Sequence, residues 1–157
     1  MKKLLFILLF ASGSVCAQEK NDVVLDYVYE NVGKKIGYGI CHELIFGAQA
    51  RLDSLGYKID SLSVIPSDSV RPGDVIMLDG TTFSDGQSFA NHIGIVYRIL
   101  TNGKISIANQ NVATVADNTK KIMYNGEERI VEEDSHVVIS IIHPPSLVSG
   151  TVTYLRF

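Results

Sequence analysis

One cysteine in this chain, Cys41, has neighbours that could make its thiol a nucleophile. It follows Gly37 and Gly39 and begins a stretch with helical periodicity. The thiolate is the reactive form, and the unpaired N–H groups at a helix start favour it. The same N–H groups can stabilise the oxyanion of an acyl-transfer intermediate. The glycines would let the backbone turn sharply and keep Cys41 open to a substrate. The alternative is an inert buried cysteine that borders the apolar face of the helix.

A histidine in a later segment could supply the base. In the strand pattern that begins at His92, Gly94 lies on the same face and leaves room for a ligand or a close backbone. Across a predicted hairpin, Asn109 and Asn111 share that face, while Gln110 points away. An amide oxygen that accepts the imidazole N–H fixes the tautomer of a general base.

Two registers are compatible with the hairpin, and they favour different asparagines. An ideal two-residue turn places Gly94 opposite Asn111, so that Asn111 lies diagonal to His92 and Asn109 lies one pair further along. A bulge or a strong twist would reverse that order. An ordinary polar turn at the end of a strand is the structural alternative for both residues.

The other three histidines are expected to be dispensable. Adjacent helix residues point in different directions, so His42 is expected to be solvated and not to serve as the base for Cys41. His136 and His143 flank an apolar strand and are assigned structural roles. A metal site made of Cys41, His42 and His92 lacks ligand-pair spacing on one face, and no metal or cofactor is predicted.

The elements that must position these residues change from helical to strand periodicity along the chain. Two helices are expected, the first from Asn21-Asp22 as capping residues to Gly33, and the second containing Cys41 and ending at Gly56. A loop is expected at residues 61–72. Strands are expected at residues 74–78, 92–100, 104–108, 121–124, 127–131, 136–142 and 151–157. Two Asn-Gly pairs mark hairpins within this part of the chain. Helices followed by a mostly antiparallel β-sheet indicate an α+β fold.

The N-terminus is typical of a signal peptide. Lys2 and Lys3 precede an apolar run that is too short to span a bilayer, and small residues follow it. Cleavage after Ala17 would give a signal peptide at residues 1–17 and one domain at residues 18–157. Export to the periplasm or the medium is therefore expected. A lipoprotein anchored at Cys16 is less favoured, because bulky Val15 stands where a small residue is expected.

Export would leave Cys41 as a lone thiol that has no partner for an intramolecular disulfide. Loss of the two lysines would change the formal net charge from −3 to −5. An acidic domain without basic runs has no footprint for nucleic acid, and it lacks a positive surface for an anionic membrane.

These residues together resemble the CHAP family, the cysteine, histidine-dependent amidohydrolases/peptidases, which is related to the NlpC-type cell-wall peptidases. The resemblance covers residues 22–157. The matching motifs occur in the family's order: Gly39-Ile40-Cys41-His42-Glu43-Leu44, Arg71-Pro72-Gly73-Asp74-Val75-Ile76, His92-Ile93-Gly94-Ile95-Val96, Ile105-Ser106-Ile107-Ala108-Asn109-Gln110-Asn111 and Gly150-Thr151-Val152-Thr153-Tyr154-Leu155.

The resemblance implies a papain-like fold in which the cysteine helix packs on an antiparallel sheet. Cys41 matches the nucleophile and His92 the base. Asn109 matches the third catalytic member, which is usually acidic in the family, and Asn111 matches a nearby asparagine. We expect Asn109 to orient His92, because bulges near active sites commonly shift ideal registers.

Three departures from the family pattern bear on its chemistry. A neutral Asn109 would orient His92 but would stabilise its cation less than a carboxylate does. Ile40 replaces a frequent glutamine, so an oxyanion donor would have to come from elsewhere. Val112 replaces a frequent aromatic residue.

The expected function is that of a secreted cysteine hydrolase that cleaves amide bonds in peptidoglycan peptides, through a thioester on Cys41. The same dyad could instead pass the acyl group to an amine or a lipid. A non-catalytic wall-binding or inhibitory module is the third candidate. Peptidoglycan or a peptide is the expected substrate, and such a protein could also meet an inhibitor or immunity protein. The sequence leaves open which bond is cut and whose cell wall is the target.

Overall fold

Two helices open the part of the chain that the computed structural model describes, which comprises residues 19–112, 119–124, 126–132 and 135–157. Helix α1 spans Lys20–Asn31 and helix α2 spans Cys41–Ser54. The second helix stops as predicted, since Gly56 adopts a φ of 86° and its N–H bonds the carbonyl of Asp53. The signal peptide predicted for residues 1–17, including Cys16, lies outside the described residues. None of the described helices is long and apolar enough to cross a membrane.

The rest of the described chain is dominated by antiparallel strands. They are β1 (Ser63–Ile65), β2 (Val75–Phe83), β3 (Ser88–Ile99), β4 (Ile105–Asn109), β5 (Thr119–Tyr124), β6 (Glu127–Glu132), β7 (Val138–Ile142) and β8 (Leu147–Arg156). Six of them form one sheet in the order β1-β8-β2-β3-β4-β7, and β5 and β6 form a separate hairpin. The predicted α+β fold with an antiparallel sheet is confirmed.

The second helix packs on the sheet through its apolar stripe. Leu44, Ala48 and Leu52 are completely buried, and they share one core cluster with Ile93 and Ile95 of β3. Complete burial of a leucine-sized side chain stabilises a fold by about 1.5–3 kcal/mol. The stripe therefore fixes the helix against the strand that carries His92.

Several predicted boundaries are wrong. Residues 61–72 are not all loop, because β1 pairs with β8 through Ser63–Ile65. Strand β2 continues to Phe83 and β3 begins at Ser88, so these two strands form a hairpin that the sequence did not predict. The first helix begins at Lys20 with Glu19 as its N-cap, and Asn21 is therefore not a cap.

Asn21 instead joins a group that we call the Asp74 cluster, in which Asp74 and Asn21 are buried, Arg156 is partly buried and Arg71 is exposed. The Arg156 guanidinium donates to both carboxylate oxygens of Asp74 at 2.7 Å. The Asn21 amide donates at 3.0 Å and the Arg71 backbone N–H at 2.9 Å. Burial alone would raise the pKa of Asp74, but these hydrogen bonds outweigh it and lower that pKa below its usual value. The cluster ties α1 and β8 to the turn that enters β2.

Candidate active site

Cys41 is the first residue of α2, as the sequence predicts. Gly37 and Gly39 have φ values of 53° and 88°, a left-handed conformation that glycine adopts without strain. Ile40 is the N-cap residue and makes no side-chain hydrogen bond. The first turn thus starts at Cys41 without a side-chain cap from Ile40, so the thiol lies at the positive end of the helix dipole.

The thiol is less accessible than the sequence indicates. Cys41 is 5% exposed and belongs to the core cluster beneath α2. The expectation that Cys41 would stand open to a substrate is therefore wrong. The reason is that Cys41 lies one turn before Leu44 and Ile45, on the same apolar face of the helix.

His42 contacts Cys41 directly, contrary to the prediction from helix geometry. Its Nδ1 lies 3.5 Å from Cys41 Sγ. Side chains within a helix are confined by the preceding turn, but Cys41 is the first helical residue and has no such turn before it. His42 is exposed, as expected.

His92 and Asn109 meet at the end of the β3–β4 pair. The Nε2 of His92 lies 3.4 Å from Asn109 Oδ1, a long hydrogen bond. Asn109 Nδ2 donates to the carbonyl of Ile107 and to the hydroxyl of Ser140, each at 3.2 Å. Because the amide hydrogens have these acceptors, Oδ1 faces His92 and Nε2 carries the proton. The Nδ1 of His92 is then the basic nitrogen.

A bulge decides which asparagine reaches His92. Next to the turn, Arg98 pairs with Ser106. Closer to His92 the register has shifted by one residue, so that Ile95 pairs with Ala108. Continued by one pair, this register sets Gly94 opposite Asn109. The ideal register with Asn111 opposite Gly94 is wrong.

Gly94 is the glycine that permits this approach of the two strands. A Cβ atom added to it would lie 2.8 Å from the backbone oxygen of Ala108 and 3.3 Å from the Cβ of Asn109. Of the two uses that the sequence suggested for Gly94, the structure supports the close backbone approach.

Burial makes His92 a weak base in the resting protein. Its exposed fraction is 6%. Loss of solvation lowers the pKa of His92 from 6.5 to about 4, the bond to Asn109 opposes this, and the charge of His42 lowers it further. His92 is therefore neutral at pH 7 and can accept a proton.

A cavity of about 200 Å³ opens beside His92. Its lining consists of Ser88, Phe89, Ala90, Asn91, His92, Asn111 and Val112. The Phe89 ring stacks on the imidazole of His92, with centroids 5.4 Å apart. Asn111 has a φ of 61°, which asparagine tolerates better than most residues. The structure thus places Asn111 in the wall of the cavity beside the candidate base.

Sequence reasoning set aside Gln110, which connects the two halves of the site. Its side chain is completely buried. It accepts a hydrogen bond from the Ile36 N–H at 2.8 Å, and it donates to the carbonyls of Ile36 at 3.0 Å and Ile40 at 3.1 Å. The residue before Cys41 is therefore bonded to the residue after Asn109. The available signal was the expectation that Gln110 points away from the face of His92.

The remaining histidines lie apart from this arrangement. The Nε2 of His143 lies 2.9 Å from the carbonyl of Asn102, and His136 is exposed. Within the described ranges, no group of three or more His, Cys, Asp or Glu residues is placed to hold a metal ion.

The fold and the site define an α+β domain with a cysteine at a helix start and a histidine–asparagine pair on the adjacent sheet. No family model matches the chain, and no curated protein sequence matches it. Its structure is similar to that of the wild-type endolysin LysIME-EF1, with a TM-score of 0.54 and 19% sequence identity. The similarity covers 88% of this chain and 64% of the endolysin chain. At this identity the similarity establishes the fold, and the chain spans less than two thirds of that endolysin.

Proposed function

We propose that this protein is an exported cysteine hydrolase that cleaves amide bonds in the peptide part of bacterial peptidoglycan. The observation that carries the proposal is the hydrogen bond between His92 Nε2 and Asn109 Oδ1, which leaves Nδ1 as a base. Similarity to an endolysin, a cell-wall hydrolase, supports peptidoglycan as the substrate. The signal-like N-terminus supports export to the periplasm or the medium.

The reaction begins with proton transfer from Cys41 to Nδ1 of His92. The thiolate attacks the amide carbonyl, and the N–H groups at the start of α2 stabilise the oxyanion. The intermediate collapses as the imidazolium of His92 protonates the leaving amine, and a thioester remains on Cys41. His92 then takes a proton from water, which hydrolyses the thioester and restores the thiol. Asn109 holds the His92 tautomer throughout.

The cavity beside His92 suits the leaving half of the substrate. The leaving amine must receive its proton from His92, so this half of the peptide lies on the His92 side of the scissile bond. The cavity is lined there by the ring of Phe89 and the amides of Asn91 and Asn111. An uncharged peptide segment of small residues fits this volume and this lining.

The direct test is mass spectrometry of muropeptides after digestion of peptidoglycan with the purified protein. We expect new free amino and carboxyl termini with wild type and none with Cys41→Ala, whose folding is verified by a thermal melt. The mass of the product identifies the bond that is cut.

Two other outcomes of this experiment would replace the proposal. Incorporation of an added amine at the new carboxyl end would indicate acyl transfer instead of hydrolysis. Equal wall binding by wild type and Cys41→Ala, with no product from either, would indicate a non-catalytic wall-binding module.

A further inference from the structure

The segment before the candidate nucleophile is held by side chains from distant parts of the chain. We call residues 36–40 the Cys41 loop. Gln110, at the end of β4, makes its three hydrogen bonds to Ile36 and Ile40 at the two ends of this loop. Ser135 is also completely buried, and its hydroxyl donates to the carbonyl of Gly39 at 2.7 Å.

The geometry allows Gln110 only one orientation. Its Oε1 faces an N–H group, and both hydrogens of its Nε2 face carbonyls. A flipped amide would set Nε2 against the Ile36 N–H and Oε1 against two carbonyl oxygens. In a completely buried position these mismatches are costly, so the amide holds the loop in one place.

Gln110 and Asn109 are consecutive residues that serve opposite halves of the site. Asn109 contacts the imidazole of His92, and Gln110 bonds the carbonyl that directly precedes Cys41. Asn109 and Gln110 point to opposite faces at the end of β4, and they share one stretch of backbone. These two consecutive residues therefore contact both the candidate base and the backbone next to the candidate nucleophile.

We propose that Gln110 is a positioning residue that sets Cys41 relative to His92, a role that rests on the proposed hydrolase function. Gln110 does not touch the reacting atoms. It acts through the Cys41 loop by fixing where α2 begins and hence where Cys41 lies. Ser135 supports the same loop through Gly39.

The test compares Gln110→Met with a matched variant, Gln49→Met. Gln49 also bonds a distant backbone carbonyl, that of Ile59 at 3.1 Å, but it does so from α2 two turns beyond Cys41, and this bond does not involve the Cys41 loop. The readouts are the midpoint of the pH profile for iodoacetamide alkylation of Cys41, the kcat and KM for peptidoglycan peptides, and thermal unfolding.

Displacement of a nucleophile by about 1 Å can cost on the order of 100-fold in turnover. We therefore expect Gln110→Met to lower kcat by about that factor with little change in KM. We also expect its alkylation midpoint to move toward the ~8.5 of free cysteine. Gln49→Met should lose thermal stability but keep the wild-type kcat and midpoint. An unchanged midpoint in folded Gln110→Met, or the same shift in Gln49→Met, would overturn the proposal.

A second variant keeps the test decisive if Gln110→Met does not fold. Ser135→Ala removes one bond to the same loop and should shift the alkylation midpoint in the same direction by a smaller amount. An unshifted midpoint in Ser135→Ala would then count against the proposal. Because alkylation needs no wall substrate, a shifted midpoint without muropeptide products supports the positioning role while rejecting the hydrolase proposal.

Discussion

The Asp74 cluster and the His92 site, which consists of His92 and Asn109, are two polar regions of the same sheet with a buried ionisable group. They differ in how many hydrogen bonds that group receives. Asp74 is charged and receives hydrogen bonds from two arginines and an asparagine. His92 is almost as deeply buried, but its Nε2 makes one long hydrogen bond to Asn109, and its Nδ1 is the basic nitrogen. Burial lowers the pKa of His92, whereas hydrogen bonds lower the pKa of Asp74 against burial.

The difference separates a group that stabilises the fold from one that is prepared for chemistry. Both carboxylate oxygens of Asp74 accept hydrogen bonds, and these bonds stabilise its charged form. A buried imidazole with one nitrogen fixed by an amide stays neutral until a proton donor arrives, and Cys41 is the proposed donor. Variants of the two regions should therefore affect stability and turnover in opposite proportions.

The largest expected effect is on turnover in His92→Ala. Loss of a general base typically costs about 10²–10⁴-fold in turnover, and a thermal melt verifies that the variant folds. His136→Ala and His143→Ala should change kcat little.

His42→Ala is the informative companion of His92→Ala, because His42 contacts the thiol. We expect its effect on kcat to be much smaller than that of His92→Ala. Equal losses in the two variants, measured by steady-state kinetics, would assign the base to His42 instead.

The next effect is on stability in Asp74→Ala. Loss of hydrogen bonds to a charged group typically costs about 1.5–3 kcal/mol, and here buried Asn21 and partly buried Arg156 lose their acceptor. Chemical denaturation measures the loss, and the alkylation midpoint of Cys41 should remain that of wild type. Glu19→Ala is the matched control, since its ion pair with Arg71 is exposed and should contribute less than about 1 kcal/mol. A similar loss in both variants would contradict the special role of the Asp74 cluster.

The two regions should lose their contributions to the free energy of unfolding in different pH ranges. Between pH 6.5 and about 4 the unfolded chain binds a proton at the His92 position that the folded protein does not bind. Stability is therefore complete above pH 6.5 and falls toward pH 4, by about 3 kcal/mol at most. Stability from Asp74 is present above its usual pKa of 3.8 and is lost only below it. Denaturation at a series of pH values should show the loss of stability between pH 6.5 and about 4 in wild type and not in His92→Ala. If His92→Ala shows the same loss, the loss does not come from His92.

A smaller effect is expected at the two asparagines. Asn109→Ala should lower kcat by about tenfold or more with little change in KM, because His92 loses its orienting acceptor. Asn111→Gly removes the other amide without strain at φ 61° and should mainly weaken substrate binding. If Asn111→Gly instead abolishes turnover in a folded protein while Asn109→Ala does not, the orienting role passes to Asn111.

The sequence predicts those parts of the site that depend on local patterns. The glycines before Cys41, the apolar stripe of α2 and the hairpin at Asn102-Gly103 are short-range signals, and the structure contains all three features. The bulge near Tyr97 shifts the register through packing between strands, which no local pattern encodes. The same holds for Gln110, whose partner Ile36 lies 74 positions away. Strand β1 was missed because three residues, held by pairing with distant β8, leave no periodicity to recognise.

The most direct test of the central claim is the rate of iodoacetamide alkylation of Cys41 in the folded protein as a function of pH. The start of α2 should favour the thiolate, and so should the imidazolium that His92 becomes when it takes the thiol proton. We predict a single reactive thiol in protein that lacks residues 1–17, with a midpoint below the ~8.5 of free cysteine that moves upward in His92→Ala. A midpoint at or above that of free cysteine, or no reaction before unfolding, would show that Cys41 is an inert core residue.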